Sequence, residues 1–153
     1  MRIYLVQHGE AVDKAENPDR PLSTQGVEDV RKLAAFLARA GVAAGRVIHS
    51  GKLRAAQTAE ILAGAALPGG APLARSGLGP KDAVAPIVRE LEGSDESVML
   101  VGHMPFVAAA VDELIASDSA RPAVAYRPGS LVCLERDEAG HWSIAWMLRP
   151  EIL

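Results

Sequence analysis

Three short polar clusters hold most of the side chains in this sequence that could do chemistry. They are Gln7-His8-Gly9-Glu10, Ser50-Gly51-Lys52-Leu53-Arg54 and Gly102-His103. Two imidazoles, a guanidinium and an ammonium suit a phosphoryl group. Arg54 would bind phosphate oxygens with its two-pronged guanidinium, and Lys52 would add positive charge. Gly9 and Gly102, without Cβ atoms, would let backbone approach a ligand closely. One neutral imidazole would attack phosphorus while the other donates to charge growing on the oxygens. The candidates are therefore His8, Arg54 and His103 for catalysis, and Gln7, Gly9, Lys52, Arg54 and His103 for phosphate binding.

Each residue alone has a plainer explanation: a histidine at a strand end is usually a hydrogen-bonded loop residue, and a lone arginine is usually a solvated helix charge. Joint placement decides between the two, so the elements that carry the clusters matter. Ile3 to Val6 is a short apolar run that reads as a buried strand. After a polar loop, Ser23 or Thr24 starts a helix, with Val27, Val30, Leu33, Ala34 and Leu37 on one face and Gly41 at its stop. Val47-Ile48 centres a second strand, and a second helix runs from about Lys52 to Gly64. The segment from Leu67 to Pro72 is a loop. A third helix spans Asp82 to Leu91, a third buried strand Ser97 to Val101, and a fourth helix about Pro105 to Ala116. Ser130 to Arg136 and Trp142 to Leu148 flank Glu138-Ala139-Gly140 and read as a hairpin. Trp142 and Trp146, four residues apart, are expected on one face of their strand.

Alternating strands and helices predict an α/β fold: a three-layer sandwich with a mostly parallel central sheet, helices on both faces and a C-terminal antiparallel hairpin. Ligands of such sheets bind beyond the carboxyl ends of the strands. All three clusters follow strands, so parallel strands would bring them to one edge.

Composition limits the alternatives. The chain has 153 residues, 49% of them hydrophobic and 4% aromatic, which predicts one domain, 1–153, with an aliphatic core. The single cysteine, Cys133, forms no internal disulfide framework and fits a reducing, cytoplasmic setting. A net charge of -3 gives no electrostatic reason to expect nucleic acid or an anionic membrane as partner. No signal peptide and no apolar run of about 18 residues is expected. The histidines His8, His49, His103 and His141 lack zinc-site spacing, so metal hydrolysis is a weaker reading. Gly45 to Lys52 is a poor phosphate-binding P-loop, because the glycine spacing is wrong and Leu53 replaces Ser or Thr.

The clusters resemble the three motifs of the histidine phosphatase superfamily (phosphoglycerate mutase-like). Leu5-Val6-Gln7-His8-Gly9-Glu10-Ala11 is similar to its Arg-His-Gly motif, Ser50 to Glu60 to its second motif, and Val101-Gly102-His103-Met104-Pro105 to its third. Arg20-Pro21-Leu22-Ser23 and Gly26 match the loop before its first helix. The short chain looks most like the bacterial phosphohistidine phosphatases of that family. The resemblance implies that His8 forms a transient phosphohistidine, that Arg54 and His103 hold the phosphate, and that water completes the reaction. It implies no metal or organic cofactor. Its substrates would be a phosphorylated protein, such as a phosphorelay or phosphotransferase component, or a small phosphate ester.

Two positions depart from the family pattern. Gln7 stands where the family has arginine, and an amide donates hydrogen bonds without charge. The segment Ser76 to Pro80 lacks the glutamate acid found before the third helix, leaving Glu10 and Asp82 as substitute proton donors. An imidazole leaves phosphorus more readily than an alkoxide, so a missing acid fits a phosphorus–nitrogen bond. The alternative is a phosphoryl-binding or regulatory module of the same fold with weakened catalysis.

Overall fold

The structure is a computed structural model that describes residues 1–116 and 121–153. The chain runs β1 (Arg2–Gln7), α1 (Thr24–Arg39), β2 (Arg46–His49), α2 (Leu53–Ala66), β3 (Leu73–Ala74), α3 (Ala85–Glu92), β4 (Val98–Gly102), α4 (Phe106–Leu114), β5 (Leu131–Arg136) and β6 (Trp142–Leu148), then a short 3₁₀ turn over Pro150–Ile152. The strands form one sheet in the order β3-β2-β4-β1-β5-β6. β1, β2, β3 and β4 are parallel to one another, whereas β5 runs antiparallel to both β1 and β6. The expected mostly parallel sheet with a C-terminal hairpin is what the chain forms; the two-residue β3 on its edge, just past the expected loop from Leu67 to Pro72, is an addition to it.

Strand alternation splits the core in two. Ile3, Leu5, Val98 and Leu100 point to the face covered by α3 and α4, where they meet Ile87, Val107 and Val111. Tyr4, Val6, Met99 and Val101 point to the face covered by α1 and α2, where they meet Leu33, Leu37, Ala59 and Leu62. The helices therefore lie on both faces of the sheet. Each buried aliphatic side chain contributes roughly 1.5–3 kcal/mol relative to exposure.

Local chemistry sets the helix ends. The Ser23 hydroxyl accepts from the Gly26 N–H at 3.0 Å and starts α1. Gly41, at φ +65°, follows its last turn in the left-handed conformation. The third helix begins at Ala85 rather than at Asp82, because the Asp82 carboxylate accepts from the Gly79 N–H at 2.7 Å and closes a turn. Pro86 then sits in the first helical turn, where no N–H is needed.

The tryptophans differ from expectation. Trp142 packs into the α3/α4 core, whereas Trp146 packs against the α1/α2 core beside Tyr4, with ring centroids 6.1 Å apart. Leu134 pairs with Ile144 but Cys133 pairs with Trp146, so Ala145 is an extra residue in β6. That bulge inverts the alternation beyond it and sends the two rings to opposite faces.

Candidate active site

Register brings the clusters together. Gln7 is opposite Gly102 across β1 and β4, and His49 is opposite Val101 across β2 and β4. One step further, the chain leaves these strands as His8, His103 and Ser50, all at the same edge. The His8 and His103 rings have centroids 4.9 Å apart. With Gln7, Glu10, Ala11, Arg20, Arg54, Pro80, Met104 and Pro128 they line an open cleft of about 430 Å³.

The backbone of the first cluster is fixed on several sides. The His8 N–H donates to the Gly102 carbonyl at 3.1 Å, and the Gly129 N–H donates to the carbonyls of Gln7 and His8, each at 3.1 Å. The Gly9 N–H donates to Thr58 Oγ1 at 3.0 Å, and that hydroxyl donates to the Arg54 carbonyl at 2.8 Å. α2 thus locks the His8 loop through a residue one turn beyond Arg54.

His8 is held in one orientation and one tautomer. Its Nδ1 lies 2.6 Å from the Gly9 carbonyl oxygen, which accepts only, so Nδ1 carries the proton. Its Nε2 accepts from Arg54 Nε–H at 3.1 Å. Burial first, and the nearby charges of Arg54 and Arg20, push the His8 imidazole down to about 4, against the opposing pull of the Gly9 carbonyl. At neutral pH the ring is uncharged, with its lone pair on Nε2.

His103 is 2% exposed. Its Nε2 lies 2.6 Å from the Ser50 hydroxyl, while its buried Nδ1 has no hydrogen-bond partner among the described residues. Burial, then the neighbouring His8, Arg54, Lys52 and Arg20, lower its imidazole to about 3. The neutral ring carries one proton: at Nδ1 when the Ser50 hydroxyl donates to Nε2, and at Nε2 when that hydroxyl accepts. Burial and Arg20 also lower the Arg54 guanidinium, which remains charged.

The other expected site residues are placed as follows. Gln7 lines the cleft at 9% exposure, its buried Oε1 unpartnered. Gly9 serves the site differently from the expected close approach to a ligand. Its N–H is taken by Thr58, and a Cβ there would stand 2.7 Å from Val30 Cγ2, so the glycine admits α1 rather than phosphate. Gly102 likewise makes room for α4, since a Cβ would lie 3.0 Å from Val107 Cγ1. Lys52 caps α2, is exposed and lies outside the cleft lining, although its charge reaches His103. Glu10 lines the cleft and accepts from the Ser23 hydroxyl at 2.7 Å. Asp82 is outside the lining, bound to Gly79, and its turn presents Pro80 to the cleft instead.

The four histidines do not converge. His49 Nδ1 accepts from the Gly51 N–H at 3.1 Å, and His141 is exposed at the hairpin turn beside Asp137. Among the described residues no group of three or more His, Cys, Asp or Glu is gathered to hold a metal ion. Among them, too, no helix is long and apolar enough to cross a membrane.

Sequence reasoning gives four residues here no role in the site. Ser50 opens the second cluster and Thr58 lies four residues beyond its end, but both carry side chains too common to flag alone. Gln57, whose Oε1 accepts from the Leu22 N–H at 2.7 Å, ties the first loop to α2. The sequence marks Arg20 only as part of the loop that matches the family, and its place in the cleft lining comes from the structure.

A parallel α/β sheet with two neutral imidazoles and a guanidinium at its carboxyl edge defines a phosphoryl-transfer protein of the histidine type. The histidine phosphatase superfamily (branch 1) pattern matches residues 3–74, and the chain belongs to that superfamily. It is 38% identical over 112 residues to an uncharacterised protein of Picosynechococcus, covering 69% of this chain and 67% of the relative. It is 28% identical over 160 residues to the phosphohistidine phosphatase SixA of Escherichia coli, covering 98% of this chain and 94% of SixA. The structure of SixA complexed with tungstate matches with a TM-score of 0.86 at 27% identity, over 99% of both chains. A SixA-type structure from Agrobacterium tumefaciens shares the fold, with a TM-score of 0.81 at 22% identity over 97% of each chain. The family and fold make this chain a phosphatase of the histidine type.

Proposed function

We propose that the chain, acting as one domain over residues 1–153, removes the phosphoryl group from phosphohistidine on a protein. The observation that carries this reading is the state of His8: a neutral ring, its proton committed to Gly9 and its Nε2 lone pair in the cleft beside Arg54. As Arg54 Nε–H passes from Nε2 to a phosphoryl oxygen, the freed Nε2 lone pair attacks phosphorus, and the bond from phosphorus to the substrate imidazole breaks. The electron pair stays on that ring nitrogen, which takes a proton from solvent. Arg54 and the Nδ1–H of His103, in the tautomer where Ser50 donates to Nε2, hold the phosphoryl oxygens. Water then attacks phosphorus, the bond to Nε2 breaks, and phosphate leaves with His8 neutral again.

The choice of a phosphorus–nitrogen bond rests on the acids available. Glu10 is the one carboxylate of the cleft lining, and it is already engaged by Ser23. An alkoxide leaving group needs a proton donor in place, whereas an imidazole is protonated readily by solvent. Similarity to SixA supports the same substrate class, and a phosphorelay or phosphotransferase protein is the natural partner. Gln7 favours a second reading, a phosphoryl-binding module with weak turnover.

The test is phosphate release from a phosphohistidine peptide and from an alkyl phosphate, with chelator present, by wild type and His8→Ala. Faster turnover of the peptide by wild type, lost in His8→Ala, is expected. Faster cleavage of the alkyl ester would overturn the substrate class. Phosphate binding without turnover would favour the binding module.

A further inference from the structure

We infer that a second cleft, opening off the catalytic one, binds carboxylates that flank the phosphohistidine of the protein substrate, through Lys32 and Arg127. This rests on the proposed activity toward a phosphorylated protein.

The second cleft has a volume of about 410 Å³. Its walls are Asp29 and Lys32 of α1, Arg127 and Pro128 of the loop before β5, and Pro150 and Glu151 of the 3₁₀ turn. Glu10 and Pro128 line both this cleft and the one around His8, so the two are continuous across these residues. A substrate chain with its phosphohistidine at His8 therefore has neighbouring residues passing over Pro128. The two clefts are also tied together by backbone. The Gly129 N–H, next to Pro128, donates to the carbonyls of Gln7 and His8, each at 3.1 Å. Gly129 itself has φ +80°, and a Cβ there would stand 3.0 Å from Pro150 Cγ and 3.9 Å from Asp29 Cβ. The glycine lets α1, the 3₁₀ turn and the loop close around one point, which holds the second cleft in register with His8.

Charge in the second cleft is unevenly committed. Each carboxylate is closely engaged: Glu10 accepts from the Ser23 hydroxyl at 2.7 Å, Asp29 accepts from Gln25 Nε2 at 2.9 Å, and Glu151 pairs with Arg149 at 2.7 Å. The two cations are held only loosely. Lys32 Nζ stands 3.8 Å from Asp29, and Arg127 Nε stands 3.8 Å from Glu151, both beyond hydrogen-bond reach. Their side chains are 51% and 69% exposed. Carboxylates arriving from outside meet two cations with donors to spare, whereas arriving cations meet carboxylates already occupied. Neither cation lines the cleft around His8, so their effect falls on which substrate is chosen rather than on the reacting atoms. The partner that fits both clefts at once is a protein with Asp or Glu beside its phosphohistidine.

The test uses two synthetic phosphohistidine peptides, one flanked on both sides by Asp and Glu, the other by Lys and Arg. kcat/KM is measured on each at low salt for wild type, Lys32→Glu, Arg127→Glu and the double reversal. Wild type should prefer the acidic peptide about tenfold, the worth of two exposed ion pairs gained and two repulsions avoided. Each single reversal should narrow that preference, and the double reversal should invert it. About 0.5 M salt should largely erase it, because both charges are exposed. The ratio of two substrates in one preparation does not depend on the fraction folded, so a poorly folding variant still reports. Turnover of both peptides without a charge preference, or with one that the double reversal leaves in place, would overturn this inference and leave the phosphatase standing. If neither peptide turns over, the same ratio is read from their binding by calorimetry. A binding preference that inverts with the double reversal would then sink the phosphatase and keep this inference. Binding indifferent to Lys32 and Arg127, or absent, would sink both.

Discussion

Lowering the pH should destabilise the fold well before its carboxylates titrate, because two imidazoles enter the folded state uncharged. His103 is the cleaner probe, being 2% exposed and lowered from 6.5 to about 3, chiefly by burial. Its unfolded ring binds a proton near 6.5 while the folded ring does not, so the unfolded state holds more protons below that value. Stability from this group is fully present above about 6.5 and is lost as pH falls toward about 3. At pH 5 the loss from His103 is about 2 kcal/mol, with a slope near 1.4 kcal/mol per pH unit. That is a large part of the roughly 5–15 kcal/mol that holds such a domain. The assay is urea unfolding of wild type and His103→Gln at pH 7.5, 6 and 5, a window above most carboxylate titration. The wild type should lose about 2 kcal/mol more than the variant across this window. Equal pH slopes for the two proteins would refute the reasoning that the imidazole is buried neutral. His8, lowered to about 4, should add an effect of the same sign and of similar size down to pH 5, which the comparison of wild type with His103→Gln cancels.

Two further substitutions probe the scaffold of the site. Gly26→Ala puts a methyl 2.1 Å from the Glu10 carbonyl oxygen, a backbone atom that cannot yield cheaply. Helix propensity alone favours the alanine by about 1 kcal/mol, yet the clash should reverse the sign to a net loss of about 1–3 kcal/mol in urea unfolding; an unchanged midpoint would mean that the Glu10 loop is free to move. Ser50→Ala removes the hydroxyl 2.6 Å from His103 Nε2 and should lower kcat/KM about tenfold. It should also shift the ¹⁵N signals of His103 toward a mixture of tautomers; a turnover loss without that shift would mean that Ser50 acts otherwise than through His103.

Much of the site could be read from the chain because it is written in contiguous clusters. The apolar runs before His8 and His103 announced buried strands, and a polar residue directly after such a strand must emerge at its carboxyl end. Parallel pairing then fixes which edge that is, so convergence of His8, Arg54 and His103 followed from pattern alone. The antiparallel hairpin was legible for a similar reason, since Gly140 at φ +90° marks a turn that glycine chemistry announces.

Other features depend on contacts distant in sequence. One extra residue in β6 turned Trp146 away from Trp142's face, and a bulge of this kind exists only in relation to its partner strand. Asp82 reads as a helix start or an acid, but its choice of the Gly79 N–H was made by a turn. Gly9 and Gly102 suggested ligand contact, yet the space they leave is filled by α1 and α4. Arg20 shows the same limit: the sequence marks it as a loop residue, and only the folded chain places it in the cleft beside His8. The sequence by itself determined the sheet, its active edge and the family, because these follow from local periodicity and contiguous motifs. Only the tertiary structure decided which charges, hydroxyls and acids face the cleft, because side-chain partners are chosen by packing across the whole chain.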